Sequence, residues 1–252
     1  MTGAGNWTWL IEGRVPTLVD AGTGDPRHVD AVAGALRGGA LSQVLVTHGH
    51  IDHASGAAVL AQHMPHARFL KMAWPERDAL YPVMWHPLAD NDILEAGDTS
   101  LRALHTPGHA PDHVCFWHEE TRSLFGGDLL QRGGTVWIPG NQYGDMSAYI
   151  ASLERMLALE PARVFPAHGP VIDEPMRLLR NYIDHRRERE EQVIDALRQG
   201  DATPHAMTMR IYKGLNEVLV PLARESVAAH LRKLERDGRA RREGDAWHII
   251  DP

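Results

Sequence analysis

The 252-residue chain has one cysteine, Cys115. A lone cysteine excludes an intramolecular disulfide framework and fits a reducing compartment. No apolar run approaches 18 residues, so no segment reads as a membrane span. Met1–Trp9 has neither a charged start nor an apolar core, so no secretory signal is expected and the expected location is cytoplasmic. Basic charge is scarce: 26 Lys and Arg face 33 Asp and Glu, a formal net charge of −7. That balance gives no global support for nucleic-acid binding, although it leaves a local patch open. Internal repeats and low-complexity segments are absent.

Histidine is plentiful, with 16 residues scattered along the chain. Four metal-capable side chains fall within Thr47-His48-Gly49-His50-Ile51-Asp52-His53, between the strand formers Val44-Leu45-Val46 and a small-residue helical pattern, Ala54 to Gln62. Imidazole and carboxylate are the donors that suit zinc and its first-row neighbours. In an extended segment His48, His50 and Asp52 share one parity and His53 points elsewhere, so one loop can serve two adjacent sites. The same arrangement recurs downstream, where a strand-like run ends in a tight Gly turn beside His109, then Asp128, then His168. A catalytic zinc needs three protein ligands and a water. Seven potential ligands suit two metals with one bridging carboxylate, about 3.5–4 Å apart.

Taken in order, residues 7–11 and 15–20 read as a hairpin around Glu12-Gly13, and Asp20 at its end is either a hydrogen-bond partner of a ligand histidine or a turn carboxylate. Strand–helix–strand alternation through residues 43–72 predicts parallel pairing. Residues 74–92 carry Pro75, Pro82 and Pro87 among Trp74, Tyr81 and Trp85, and read as an irregular loop walling a cleft. Strands follow at 99–105, 114–118, 123–125 and 163–165, with a helix over 147–159. His113, four residues after His109, is a candidate for orienting a ligand or touching substrate. The expected division is a catalytic domain over 1–174, a connecting helix over 175–200, and a small winged-helix-like domain over 201–252. Residues 222–243 hold seven basic residues against four acidic ones, a local patch that either touches phosphates or is a solvated helix and wing.

The His-Xaa-His-Xaa-Asp-His loop at 48–53 and the ordered His109, Asp128 and His168 resemble the metallo-β-lactamase superfamily at every ligand position. Asp145–Arg155, Pro166–Pro170, Tyr182–Arg186 and His230–Glu235 are similar to the branch of that family that contains beta-lactamase-like protein two. The resemblance covers nearly the whole chain. It departs at Ala110, where Thr is frequent, and at Ala167, where Gly is frequent. It implies an α/β chain with the αββα sandwich, a C-terminal winged helix, and a binuclear site. His48, His50 and His109 would hold the first metal, Asp52, His53 and His168 the second, and Asp128 would bridge. It further implies two zinc ions, with iron or manganese as alternatives, and hydrolysis by an activated water that Asp52 helps to orient. The expected substrate is a small carbonyl ester (a thioester or lactone), with RNA cleavage as the alternative and no membrane partner.

Overall fold

The structure is a computed structural model that describes residues 5–250, so residues 1–4 of the N-terminal reading lie outside it. Two compact units divide the chain. Within the described residues one holds 5–106, 112–135 and 156–176, and the other 107–111, 136–155 and 177–250.

The first unit is built on two five-stranded sheets. In one, β1 (Trp9–Ile11), β2 (Thr17–Val19), β3 (Gln43–Leu45), β4 (Arg68–Lys71) and β5 (Trp85–Pro87) follow sequence order. The β1–β2 hairpin is antiparallel, with Leu10 opposite Leu18, and every later pairing is parallel. The parallel pairs match the expected alternation, since a parallel neighbour requires a crossover. In the other sheet β6 (Ile93–Ala96), β7 (Thr99–His105), β8 (Val114–His118) and β9 (Ser123–Gly127) form an antiparallel run, and β10 (Arg163–Pro166) joins β9 in parallel.

Alternate residues of each strand take opposite sides. Leu18, Val44 and Phe69 pack with Val29 and Val32 of α1 (Pro26–Ala35) and Leu60 of α3 (Ala57–His63). Their neighbours Val19, Leu45 and Leu70 meet Leu101, Ala103, Val114 and Phe116 of the second sheet. The period-two pattern thus places one strand residue against a helix and the next against the facing sheet. Cys115 is fully buried on β8 and acts as a small core residue.

Two parts of this unit differ from the pattern reading. The 74–92 stretch contains a helical turn, α4 (Pro75–Asp78), and the edge strand β5. Pro87 at its end hid that strand, because proline is tolerated only where no ladder donor is needed. Tyr81 and Trp85, expected in a loop walling a cleft, pack against the core. In addition, the helix after the histidine loop begins early, as α2 (Ile51–Ala54), and is separated from α3 at Ser55-Gly56.

The helix expected over 147–159 forms as α5 (Met146–Ala158). In the second unit, α6 (Pro175–Arg198), expected as a connector, supplies one wall of a core. Its Val193, Ile194 and Leu197 pack with Met207 of α7 (Pro204–Ile211) and with Val227, Leu231 and Leu234 of α8 (Val220–Arg236). The same core holds Ala240 of β11 (Ala240–Glu243) and Trp247 of β12 (Ala246–Ile249), strands paired as an antiparallel hairpin. The Thr203-Pro204 signal starts α7: the Thr203 Oγ1 accepts from the Ala206 N–H at 3.2 Å, and proline occupies the first helical position. Helices followed by this hairpin form the expected winged helix. Among the described residues no helix is long and apolar enough to cross a membrane.

Candidate metal centre

The functional side chains of the first unit stand just beyond strand ends. β2 runs into Asp20, β3 leads through Val46 and Thr47 to His48 and His50, β9 into Asp128, and β10 into His168. α2 then turns Asp52 and His53 toward Asp128 and His168. Extended-chain parity predicts that Asp52 and His53 diverge. The helical turn overrides it, because consecutive helical residues are only about 100° apart, and His53 Nε2 lies 3.6 Å from Asp52 Oδ2.

Asp20 is the first of the orienting groups. It is 2% exposed and has a φ of 64°, a left-handed conformation that is strained for a residue with a Cβ. Its Oδ1 accepts from the Thr47 N–H at 2.7 Å and the Thr47 hydroxyl at 2.9 Å, while Oδ2 meets His53 Nδ1 at 2.8 Å. A carboxylate on Nδ1 holds the proton there and leaves the Nε2 lone pair facing the centre. Of the two expected roles for Asp20, the structure shows hydrogen bonding to a histidine of the set.

His168 is held in the same way by the N-terminal segment. Its Nδ1 lies 3.1 Å from the Gly5 carbonyl. The Trp7 N–H donates to the Ala167 carbonyl at 2.7 Å, and the Trp7 indole to the Gly169 carbonyl at 2.8 Å. Asn6 donates from its amide to the Asp52 carbonyl. One short segment therefore ties together the loops bearing Asp52 and His168.

The four acceptor-rich side chains then converge. His168 Nε2 lies 3.2 Å from Asp128 Oδ1 and 3.4 Å from Asp52 Oδ2, and His53 Nε2 lies 3.6 Å from Asp128 Oδ1. His53 Nε2 is buried without a hydrogen-bond partner. Donor atoms of His48, His53 and Asp128 approach one another within 4.8 Å, as do those of Asp52, His53 and His168. The His48 and His50 rings meet edge on, with Nε2 and Nδ1 2.9 Å apart. Burial works to lower the pKa of His53, but Asp20, Asp128 and Asp52 together raise it to about 9. Burial likewise opposes the charge on His168, and Asp128 and Asp52 raise it to about 10. The carboxylates thus demand positive charge where oriented imidazole lone pairs converge. This donor chemistry fits a divalent cation, which would take the place of those protons.

His113 is fully buried and takes part through its ring. Nε2 accepts from the Asp128 N–H at 3.0 Å, and Nδ1 lies 2.8 Å from the Thr106 hydroxyl. With Nε2 accepting, the network assigns the proton to Nδ1. The ring therefore supports the loop that carries Asp128. Gly127, just before it, has a φ of +48°, and a Cβ there would meet His113 Nε2 at 2.8 Å and the Thr47 Cβ at 2.9 Å. Only glycine suits that position. Trp74 lies beside the loop, its ring 6.2 Å from that of His50. His109 stands on residues 107–111, which group with the second unit, where its Nδ1 lies 2.7 Å from the Trp137 carbonyl. Thr47, Asn6, Lys71 and Asp112 all contact the site loops. None forms a motif that separates it from ordinary strand or loop residues.

In the second unit the basic patch is largely tied to its own carboxylates. Arg236 meets Asp145 at 2.6 Å, Lys233 meets Glu190 at 2.9 Å and Asp237 at 2.7 Å, and Arg239 lies 3.7 Å from Glu190. On the hairpin, Arg241 faces Glu243 at 3.1 Å and Arg242 faces Asp245 at 3.3 Å.

Comparison with known families matches residues 1–168 to the metallo-beta-lactamase superfamily and residues 203–247 to the beta-lactamase associated winged helix domain. A beta-lactamase-like protein 2 homolog of Drosophila melanogaster is 32% identical over 96% of this chain and 86% of that protein. An atrochrysone carboxyl ACP thioesterase of Aspergillus chevalieri is 36% identical over 77% of this chain and 61% of that protein. Among solved structures, TTHA1623 in a di-iron-bound form is 28% identical. It covers 69% of this chain and 92% of that one, with a TM-score of 0.58.

Proposed function

As a member of the metallo-β-lactamase superfamily the chain is a metal-dependent hydrolase, and we propose that it uses two divalent metals to cleave a small thioester or a related carbonyl ester. The observation that carries this reading is the donor set of His53, His168, Asp52 and Asp128, whose ring nitrogens face two carboxylates that hold positive charge. In this reading His48 and His50 belong to one metal, with His109 as the further ligand that the family order supplies. Asp52, His53 and His168 would hold the other, and Asp128 would serve both. When bound, the metals supply a water acidified to a pKa of about 7 and a Lewis acid for the substrate oxygen. Zinc is our first assignment. The di-iron relative supports iron as the alternative.

The remaining roles belong to the chain itself. Asp20 and the Gly5 carbonyl fix the tautomers of His53 and His168, so that both present Nε2. Asp52, whose Oδ2 lies 3.4 Å from His168 Nε2, would orient the water that the metals supply. His113 holds the Asp128 loop and does not carry protons to substrate, since both of its ring nitrogens are occupied. Trp74 flanks His50 and supplies an apolar wall for an acyl group.

Two observations favour an ester over RNA. A thioesterase stands among the relatives. The tail cations pair with neighbouring carboxylates, whereas a phosphate-binding surface needs cations available to displace counterions. The winged helix is the feature that favours RNA. Thioesters, lactones and a single-stranded RNA are assayed side by side at low and moderate salt, with Asp128→Ala as the blank. The expected result is thioester turnover that is nearly indifferent to salt and absent in the blank. Metal-dependent RNA cleavage that weakens with salt, without ester turnover, overturns it.

A further inference from the structure

Lys71 is a lysine with no exposed side-chain surface, at the end of β4. Its ammonium group has three donors and meets three acceptors: the Met72 carbonyl at 2.7 Å, Asp112 Oδ2 at 2.9 Å, and Asp78. Asp112 is equally buried, and its Oδ2 also accepts the Gly49 N–H at 2.8 Å. Gly49 separates His48 from His50. Its carbonyl accepts the Tyr81 hydroxyl at 3.1 Å, so its peptide is bonded on both sides. The second Asp78 oxygen accepts the Trp74 N–H at 2.9 Å. One buried ammonium group therefore joins the histidine loop to the turn bearing Trp74. A Cβ at Gly49 would meet Asp112 Oδ2 at 3.3 Å and Trp74 at 3.4 Å, so the parts are closely fitted.

A buried ion pair costs desolvation on both sides and seldom adds stability over an apolar pair of similar size. Here burial raises the Asp112 carboxyl and outweighs the opposing pull of Lys71 and the backbone donors. We propose that Lys71 and Asp112 are positioning residues that set the spacing of His48 and His50 through the Gly49 peptide. This rests on the metal-hydrolase reading for its consequence, not for its geometry.

The test measures amide hydrogen exchange in metal-stripped protein and zinc affinity by competition with a chelating dye. Asp112→Leu removes the acceptor from Gly49, Asp112→Asn retains one, and Lys71→Met removes the hub. Asp112→Leu and Lys71→Met are expected to speed exchange in the peptide containing Gly49 about tenfold or more and to weaken zinc binding about 10–100-fold. Asp112→Asn is expected to stay within about threefold of the unaltered protein on both measures. Exchange in β7 and β8 reports the fold and should not change. If either single variant fails to fold, the charge-matched Lys71→Met/Asp112→Leu pair replaces it, with the same expectation. Unchanged exchange at Gly49 and unchanged zinc affinity, with only a lower melting temperature, overturn the proposal. If the unaltered protein takes up no zinc, the metal reading fails by itself, because the exchange arm is run without metal.

Discussion

His53 in the first unit and His230 in the second are both fully buried beside carboxylates, yet they hold protons with opposite strength. Around His53, Asp20 is hydrogen-bonded at 2.8 Å and two further carboxylates lie at 3.6 Å, and they outweigh burial to set a pKa of about 9. Around His230, burial dominates. Glu190 is 3.8 Å away and is shared with Lys233 and Arg239, while Arg186 and Arg189 add repulsion, so the pKa falls to about 4. Burial is common to both sites. Three carboxylates gathered around one ring, against one carboxylate shared with neighbouring cations, are what separate a site that attracts cations from one that repels them.

Removing that negative charge gives the largest expected effect. Asp128→Ala should lower kcat/KM by about a thousandfold or more, the several kcal/mol a catalytic metal contributes, with only a modest change in melting temperature. Elemental analysis alongside kinetics checks this, and near-normal activity with both metals retained would refute the bridging role. Breaking only the orientation of His53 is the next step down. Asp20→Asn should weaken zinc affinity about 10–100-fold, measured by dye competition, because the amide cannot hold Nδ1–H as the carboxylate does.

The contrast also has a pH signature. The folded pKa of His230, about 4, lies below the ordinary value of 6.5, so the unfolded chain binds the extra proton. Stability from this group is full above pH 6.5 and is lost as pH falls toward 4, by on the order of 2–3 kcal/mol. Urea unfolding at pH 7 and pH 4.5 in unaltered protein and His230→Leu measures it. A pH slope that is the same in both proteins would remove His230 as its source. The smallest effect is expected from His113→Ala, about tenfold in kcat with both metals retained. This ring supports the Asp128 loop and does not touch the reacting atoms. A loss as large as that of Asp128→Ala would assign it a direct role.

His48, His50, Asp52 and His53 were visible because six residues of chain concentrate their chemistry, and Asp128 and His168 because each follows a strand and stands beside a glycine. The strands of both sheets were legible wherever β-branched and aromatic runs alternate, as at Val44–Val46 and Val114–His118. The edge strand at Trp85–Pro87 was not, since three residues beside prolines carry no period. Lys71 was also hidden: a lysine at a strand end reads as solvent-exposed unless its partners are known.

The sequence by itself determined the donor inventory and its order along the chain, because ligand chemistry is a property of side-chain type and local spacing. It also determined the winged-helix outline of the tail, expected over residues 201–252. Only the tertiary structure decided which carboxylate orients which imidazole. Asp20 reaches His53, Gly5 reaches His168 and Lys71 reaches Asp112 across gaps of 33, 163 and 41 residues. A hydrogen bond depends on distance and direction in space, and no spacing along the chain specifies either one before the sheets have paired.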